Sequence, residues 1–179
     1  MILGVSEILR LVKEKKLVEN LSERELTNPE GAGFDLRIGG LYRPQGKGFL
    51  GVTERETPDM EVVAEYSTAE NHVVVLQPNE YFVMKTIERV NTPSDIAILF
   101  RPRSTLFRSG VTIFTGACSP GYCGELFFGI INLSPTPFTL EMGARVCHAT
   151  FYQVTGETAA YRGQWQGGRD TTSGRETQI

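Results

Sequence analysis

Residues 95–115 read DIAILFRPRSTLFRSGVTIFT, two short apolar runs on either side of ten residues that hold three arginines, three hydroxyls, a proline and a glycine. Each run is too short for a helix and rich in β-branched or aromatic residues, so both read as strands. The same texture recurs along the chain. FDLRIGGLY (34–42), MEVVAEY (60–66), HVVVLQ (72–77), YFVMKTI (81–87), ELFFGIIN (125–132), FTLEM (138–142) and ARVCHATFYQV (144–154) are strand-like runs separated by Gly, Pro, Asn and Ser. Many short strands at this spacing predict an all-β sandwich or barrel.

Helical signals are confined to the first 28 residues. Ser6 is placed to cap a helix running to about Lys15, with Ile8, Leu11 and Val12 as its apolar stripe and lysines near its end. SERE at 22–25 has the capping-box pattern and opens one further turn before Asn28 and Pro29 stop it. At the other end, GQWQGGRDTTSGRETQI (163–179) is too polar to order by itself, so it is either disordered or folds over a ligand. The expected organisation is a single domain over 1–179, with a helical segment at 1–28 and a flexible tail at 160–179.

A chain of 179 residues, 40% hydrophobic and 22% charged, suits one globular domain. Its net charge of −3 and pI near 5.5 argue against a general nucleic-acid surface, so any anion site must be local. The N-terminus MILGVSEILRLVKEKK mixes charges into its apolar residues, unlike a signal peptide, and no run reaches the roughly 18 apolar residues of a membrane helix. A cytoplasmic protein is expected. The odd count of three cysteines, Cys118, Cys123 and Cys147, points to reduced thiols.

RPRSTLFRSG is the strongest chemical signal. Ser104 and Thr105 hydroxyls with the planar forks of Arg103 or Arg108 suit phosphate oxygens. A solvated hairpin turn is the commoner source of such a composition, although Leu106 and Phe107 argue that the segment packs against something. Tyr122, in the turn-rich FTGACSPGYCGELFFGIIN (114–132), is suited to pack on a sugar or base, and such a tyrosine is more often simply a core or edge aromatic. Asp35 in GAGFDLRIG can bind a hydroxyl or hydrated metal, or equally satisfy turn N–H groups. Zinc chemistry of the base-deaminase type needs H-x-E and P-C-x-x-C, which the chain lacks. Cys118, Cys123, Cys147 and His148 lack close-spaced ligand pairs, so no metal site is expected.

Taken in order, GAGFDLRIG (31–39), RSTLFRSG (103–110), SPGYCGELFFGIIN (119–132), GARVCHATF (143–151) and the Gly-rich tail resemble the motifs of the dUTPase and dCTP deaminase superfamily over nearly the whole chain. The N-terminal helix and YRGQWQGGR (161–169) are more similar to the dCTP deaminase branch, which also contains dUTPases and bifunctional enzymes. The resemblance implies a distorted jelly-roll (a dUTPase-like β-clip), a homotrimer with sites between subunits, and a deoxynucleoside triphosphate carrying Mg²⁺. It implies that Arg103, Ser104 and Thr105 hold phosphates, that Arg108 lies in the active site, and that Tyr122 packs under the deoxyribose. Asp35 falls on the aspartate of the first motif. Tyr161, Gln166 and Arg169 become nucleotide contacts of a closing tail.

The departures from the family pattern bear on the chemistry. Ser119 stands where an aspartate normally binds the 3′-hydroxyl and, in dUTPases, orients water. Gly129 stands where the deaminases carry a glutamate that moves protons, and His148 replaces a frequent glutamine. Glu125 shares a strand face with Gly129, but four residues span roughly 13 Å, so it is not a direct replacement. Hydrolysis of dUTP to dUMP and pyrophosphate, with Glu125 or Asp35 aiding the water, is therefore the leading expectation. dCTP deamination and a nucleotide-binding protein with impaired catalysis are the alternatives.

Overall fold

The computed structural model describes residues 1–178. Helix α1 (Val5–Lys15) is followed by β1 (Val18–Glu19), α2 (Glu23–Thr27), β2 (Phe34–Gln45), β3 (Phe49–Leu50), β4 (Glu54–Glu56), β5 (Asp59–Glu65), β6 (Val73–Leu76), β7 (Tyr81–Asn91) and β8 (Ile96–Pro102). Then come α3 (Ser104–Arg108), β9 (Val111–Phe114), β10 (Cys123–Asn132), β11 (Phe138–Glu141), β12 (Arg145–Gln153) and β13 (Glu176–Thr177).

The main sheet runs in the order β8-β12-β2-β7-β10-β9, with β1 added to β7 and β5 to β2, and its pairings are antiparallel. Beyond β9 the chain returns to the opposite edge. Ile98 of β8 and Cys118 exchange backbone hydrogen bonds of 3.0 and 2.9 Å, so the sheet is nearly closed into a barrel. Burial alternates strictly along β7 and β10, as period-two strands with one core face require. Phe34, Phe82 and Phe151 are among the largest fully buried side chains, and Phe34 meets Phe151 edge-on at 5.8 Å. Burying each such ring contributes roughly 1.5–3 kcal/mol.

The helices depart from expectation in detail. Gly4, not Ser6, is the extended residue at the α1 N-cap, and Ser6 sits inside the first turn. Ser22 does cap α2, accepting from the Glu25 N–H at 3.4 Å, but the Glu25 carboxylate turns inward to the Asp35 N–H instead of completing the capping box. RPRSTLFRSG is not a hairpin turn. Its centre is α3, entered through extended Arg103, anchored by buried Leu106 and followed by Gly110 at φ +76°. That apolar anchor is what periodicity over five residues cannot reveal.

The tail lies on its own body. β13 pairs with β4, Thr57 N–H donates to Thr172 Oγ1 at 2.9 Å, and Trp165 packs on the core. Ile179, the last residue of that tail, lies outside the described residues. Among the described residues no helix is long and apolar enough to cross a membrane.

Candidate functional site

Two constellations stand out, a cavity and a cluster of arginines around a buried carboxylate. The cavity, about 340 Å³, opens where the hairpin β9–β10 is splayed. The ladder between these strands runs from Asn132↔Val111 to Gly129↔Phe114 and ends there. Beyond it one arm contributes Gly116, Ala117, Cys118 and Ser119, and the other contributes Leu126, Phe127 and Phe128. Phe100, 4.9 Å from Phe128, lies beneath. An opening between separated strand arms, lined largely by aromatic and apolar side chains, suits a flat ligand.

Tyr122 joins both readings made of it. It is buried, with its hydroxyl donating to the Glu125 carbonyl at 2.7 Å, and it also walls the cavity. Burial pushes its phenol well above the ordinary value, so it acts as a neutral donor. The tail closes the other side with Tyr161, Trp165, Arg169 and Asp170. Tyr161 meets Tyr122 edge-on at 5.4 Å. Gln166 reaches the turn rather than the cavity, accepting from Cys123 N–H and donating to Gly121 C=O, each at 3.0 Å. The crossing is close enough to need glycine. A β-carbon on Gly124, whose φ is +151°, would lie 2.8 Å from the Gly167 carbonyl carbon.

Glu125 lies beside this crossing. Its carboxylate is 3.5 Å from Arg89 Nη1, and a β-carbon on Gly168 would lie 2.6 Å from its Oε2. Ser119 lines the cavity and brings a hydroxyl rather than a charge to its wall.

The second constellation is built on β2, β12, α2 and the entry to α3. Asp35, 6% exposed, is ion-paired with Arg103 and with Arg145 at 3.0 Å, and is hydrogen-bonded to His148 Nδ1 at 2.9 Å. Buried Glu25 beside it pairs with Arg24 and accepts the Asp35 N–H at 3.1 Å. Burial, with Arg145 and Arg24 close by, pushes the Arg103 guanidinium below its ordinary value. Burial also lowers His148, whose Nδ1–H can donate to Asp35. Ser104, Thr105 and Arg108 lie next to this cluster in sequence, on α3, and are exposed.

The expected site residues thus fall into groups. Ser119, Tyr122, Tyr161 and Arg169 line one cavity, with Glu125 and Gln166 at its margin. Asp35 and Arg103 meet in the arginine cluster instead, and Ser104, Thr105 and Arg108 stand apart from the cavity lining within one chain. Sequence reasoning missed Arg145, which the β12–β2 register brings near Asp35, Arg24 and Glu25, which helix α2 brings there, and Trp165, whose uniqueness in a polar tail was its only signal. Among the described residues no three His, Cys, Asp or Glu side chains are grouped to hold a metal ion.

Comparison with known proteins finds relatives of two names. A "Probable deoxyuridine 5'-triphosphate nucleotidohydrolase" of Methanothermobacter thermautotrophicus is 33% identical over 152 residues, covering 85% of this chain and 94% of the relative. A "dCTP deaminase" of Pyrobaculum calidifontis is 31% identical over 172 residues, covering 96% and 95%. The crystal structure of 2'-deoxycytidine 5'-triphosphate deaminase from Agrobacterium tumefaciens superposes with a TM-score of 0.64 at 17% identity, which shows a shared fold. The match covers 84% of this chain and about half (48%) of that one. Names of both kinds, dUTP nucleotidohydrolase and dCTP deaminase, occur among the relatives. With residues 2–154 matching the family described as dCTP deaminase-like, the chain belongs to that family.

Proposed function

We propose that the protein hydrolyses dUTP, bound as its Mg²⁺ complex, to dUMP and pyrophosphate. The observation that carries this reading is the splayed hairpin, whose aromatic-lined opening suits a nucleobase and sugar. The base edge bonds to the separated backbone arms, and Tyr122 packs against the deoxyribose. Arg103, Ser104, Thr105 and Arg108 hold the phosphates, with Asp35 fixing the Arg103 guanidinium and Arg145 beside it. Glu125, held by Arg89 at the cavity margin, orients the attacking water.

The phosphate-holding residues and the cavity lie apart in one chain, and this supports a homotrimer in which a neighbouring copy supplies the phosphate grip. Exposed Tyr81 and Phe114, whose ring centroids are 6.4 Å apart, support the same assembly. The three free cysteines support a reducing, cytoplasmic setting.

Deamination of dCTP is the second reading, since relatives carry that name. Gly129 weighs against it, because glycine moves no proton. A third reading, a nucleotide-binding protein with impaired catalysis, is favoured by Ser119 in the cavity wall. Incubation with dUTP and dCTP in Mg²⁺, following pyrophosphate and ammonia separately, tests all three. Pyrophosphate from dUTP supports hydrolysis, ammonia from dCTP supports deamination, and tight binding without either product supports the third reading.

A further inference from the structure

Trp165, the one tryptophan of the chain, forms part of the cavity wall. Its partner outside the cavity is Arg55 of β4, whose guanidinium carbon stands 4.5 Å from the indole centroid. The same guanidinium donates from Nε and Nη2 to Glu176 Oε1 at 3.1 and 2.9 Å. Glu176 Oε2 in turn takes Arg169 Nη2 at 2.8 Å. Arg55 and Glu176 are register partners in the β4–β13 ladder. The fastening is sheltered, since the Arg55 side chain is only 14% exposed.

We infer that Arg55 is a positioning residue that holds Trp165 as a stacking surface for a nucleobase, and that each chain closes its cavity with its own tail. A guanidinium on one face of an indole fixes the plane of the ring. An aromatic face so fixed suits any base, whose π-surface gains from stacking. Thr57, two residues beyond Arg55, ties the same strand end to Thr172 and also lines the cavity. The tail is therefore fastened by the hairpin of its own subunit at two neighbouring points. The identity of the ligand rests on the nucleotide reading above. The fastening does not, and it can be read without any ligand.

The test uses Trp165 emission and acrylamide quenching in the full chain, together with trypsin cleavage after Arg162 and Arg169. Arg55→Ala should red-shift the emission, raise quenching severalfold and open both tail sites, with unchanged far-UV dichroism showing that the barrel persists. Arg55→Lys should fall between wild type and Arg55→Ala, because an ammonium cannot stack and fork at once. Unchanged quenching and cleavage in both variants would overturn the fastening whatever the nucleotide results.

With Mg·dUTP, Arg55→Ala should raise KM and Kd about tenfold while kcat holds. If the variant frees Trp165 but wild-type emission responds to no nucleotide, the base-stacking half is overturned and the fastening stands. Mixing Arg55→Ala with Trp165→Phe chains tests the intramolecular half. Recovery of Trp165 protection in the mixture would mean that a neighbour's Arg55 does the holding, and would overturn it.

Discussion

The phenol oxygen of Tyr81 lies 2.7 Å from the point where a β-carbon on Gly129 would stand, and Phe114 Cδ2 lies 3.1 Å from the same point. Gly129 is thus the space into which a neighbouring strand's aromatic ring folds, as well as a residue without a carboxylate. Both rings are partly exposed and can swing aside, so Gly129→Ala should cost about 1 kcal/mol. Gly129→Glu should displace Tyr81 and still release no ammonia from dCTP, because its side chain enters the space held by the Tyr81 and Phe114 rings rather than the cavity. Urea unfolding and an ammonia assay check both. A gain of deaminase activity from the single change would show that the rest of the proton-transfer machinery is already present.

Asp35 balances more positive charge than any other carboxylate in the arginine cluster. Removing it strands Arg103 and Arg145 beside buried Glu25, so Asp35→Ala should destabilise by about 3–5 kcal/mol. Arg103→Ala leaves Asp35 paired with Arg145 and His148, so its effect should fall mainly on function. A loss of about 10²–10³ in kcat/KM for dUTP is expected. Equal stability losses for the two variants would mean that Arg103 is chiefly structural.

Acid should weaken the fold through His148. Burial lowers its pKa and Arg103 lowers it further, while Glu25 and Glu30 pull it upward, and the Asp35 charge beside it is shared with Arg103 and Arg145. The folded state keeps the ring neutral, whereas an unfolded chain protonates it near the ordinary value of about 6.5. Below that pH the unfolded state binds more protons, so stability is full above it and declines as pH falls toward the folded value. Urea midpoints from pH 8 to 5 should show this slope, and His148→Gln should flatten it.

The thiols should differ in reactivity. Burial pushes Cys118 up to about 11 and Cys147 up to about 12, so neither forms thiolate at neutral pH. Half-buried Cys123 should react with a disulfide reagent in the native protein, and the other two only on unfolding. Three fast-reacting thiols would contradict the packing of the Ile98–Cys118 closure.

The longer strands were readable because their apolar and aromatic texture is local, whereas β1, β3, β4 and β13, of two or three residues each, carry too little sequence to show it. Leu126, Phe128 and Ile130 announce the buried face of β10, and Tyr122 announces a turn with an aromatic. Helix α3 was not readable, since its single anchor, Leu106, is helical only by virtue of the core beneath it. Of the site, Asp35, Arg103, Tyr122 and Tyr161 could be named from motif order. Arg145 and Glu25 could not, because their meeting depends on the β2–β12 register and on Glu25 abandoning its expected capping role. Trp165 and Arg55 are 110 positions apart and share no pattern that a single sequence exposes.

The cavity wall that comes from the tail is tethered. A tethered wall meets its seat at an effective concentration set by the connecting chain, on the order of millimolar for short flexible linkers, however dilute the protein becomes. Closure over a base is then a unimolecular event for each molecule. Affinity for a nucleoside should be indifferent to dilution, while affinity for the triphosphate should fall with dilution wherever a second copy must bring the arginines.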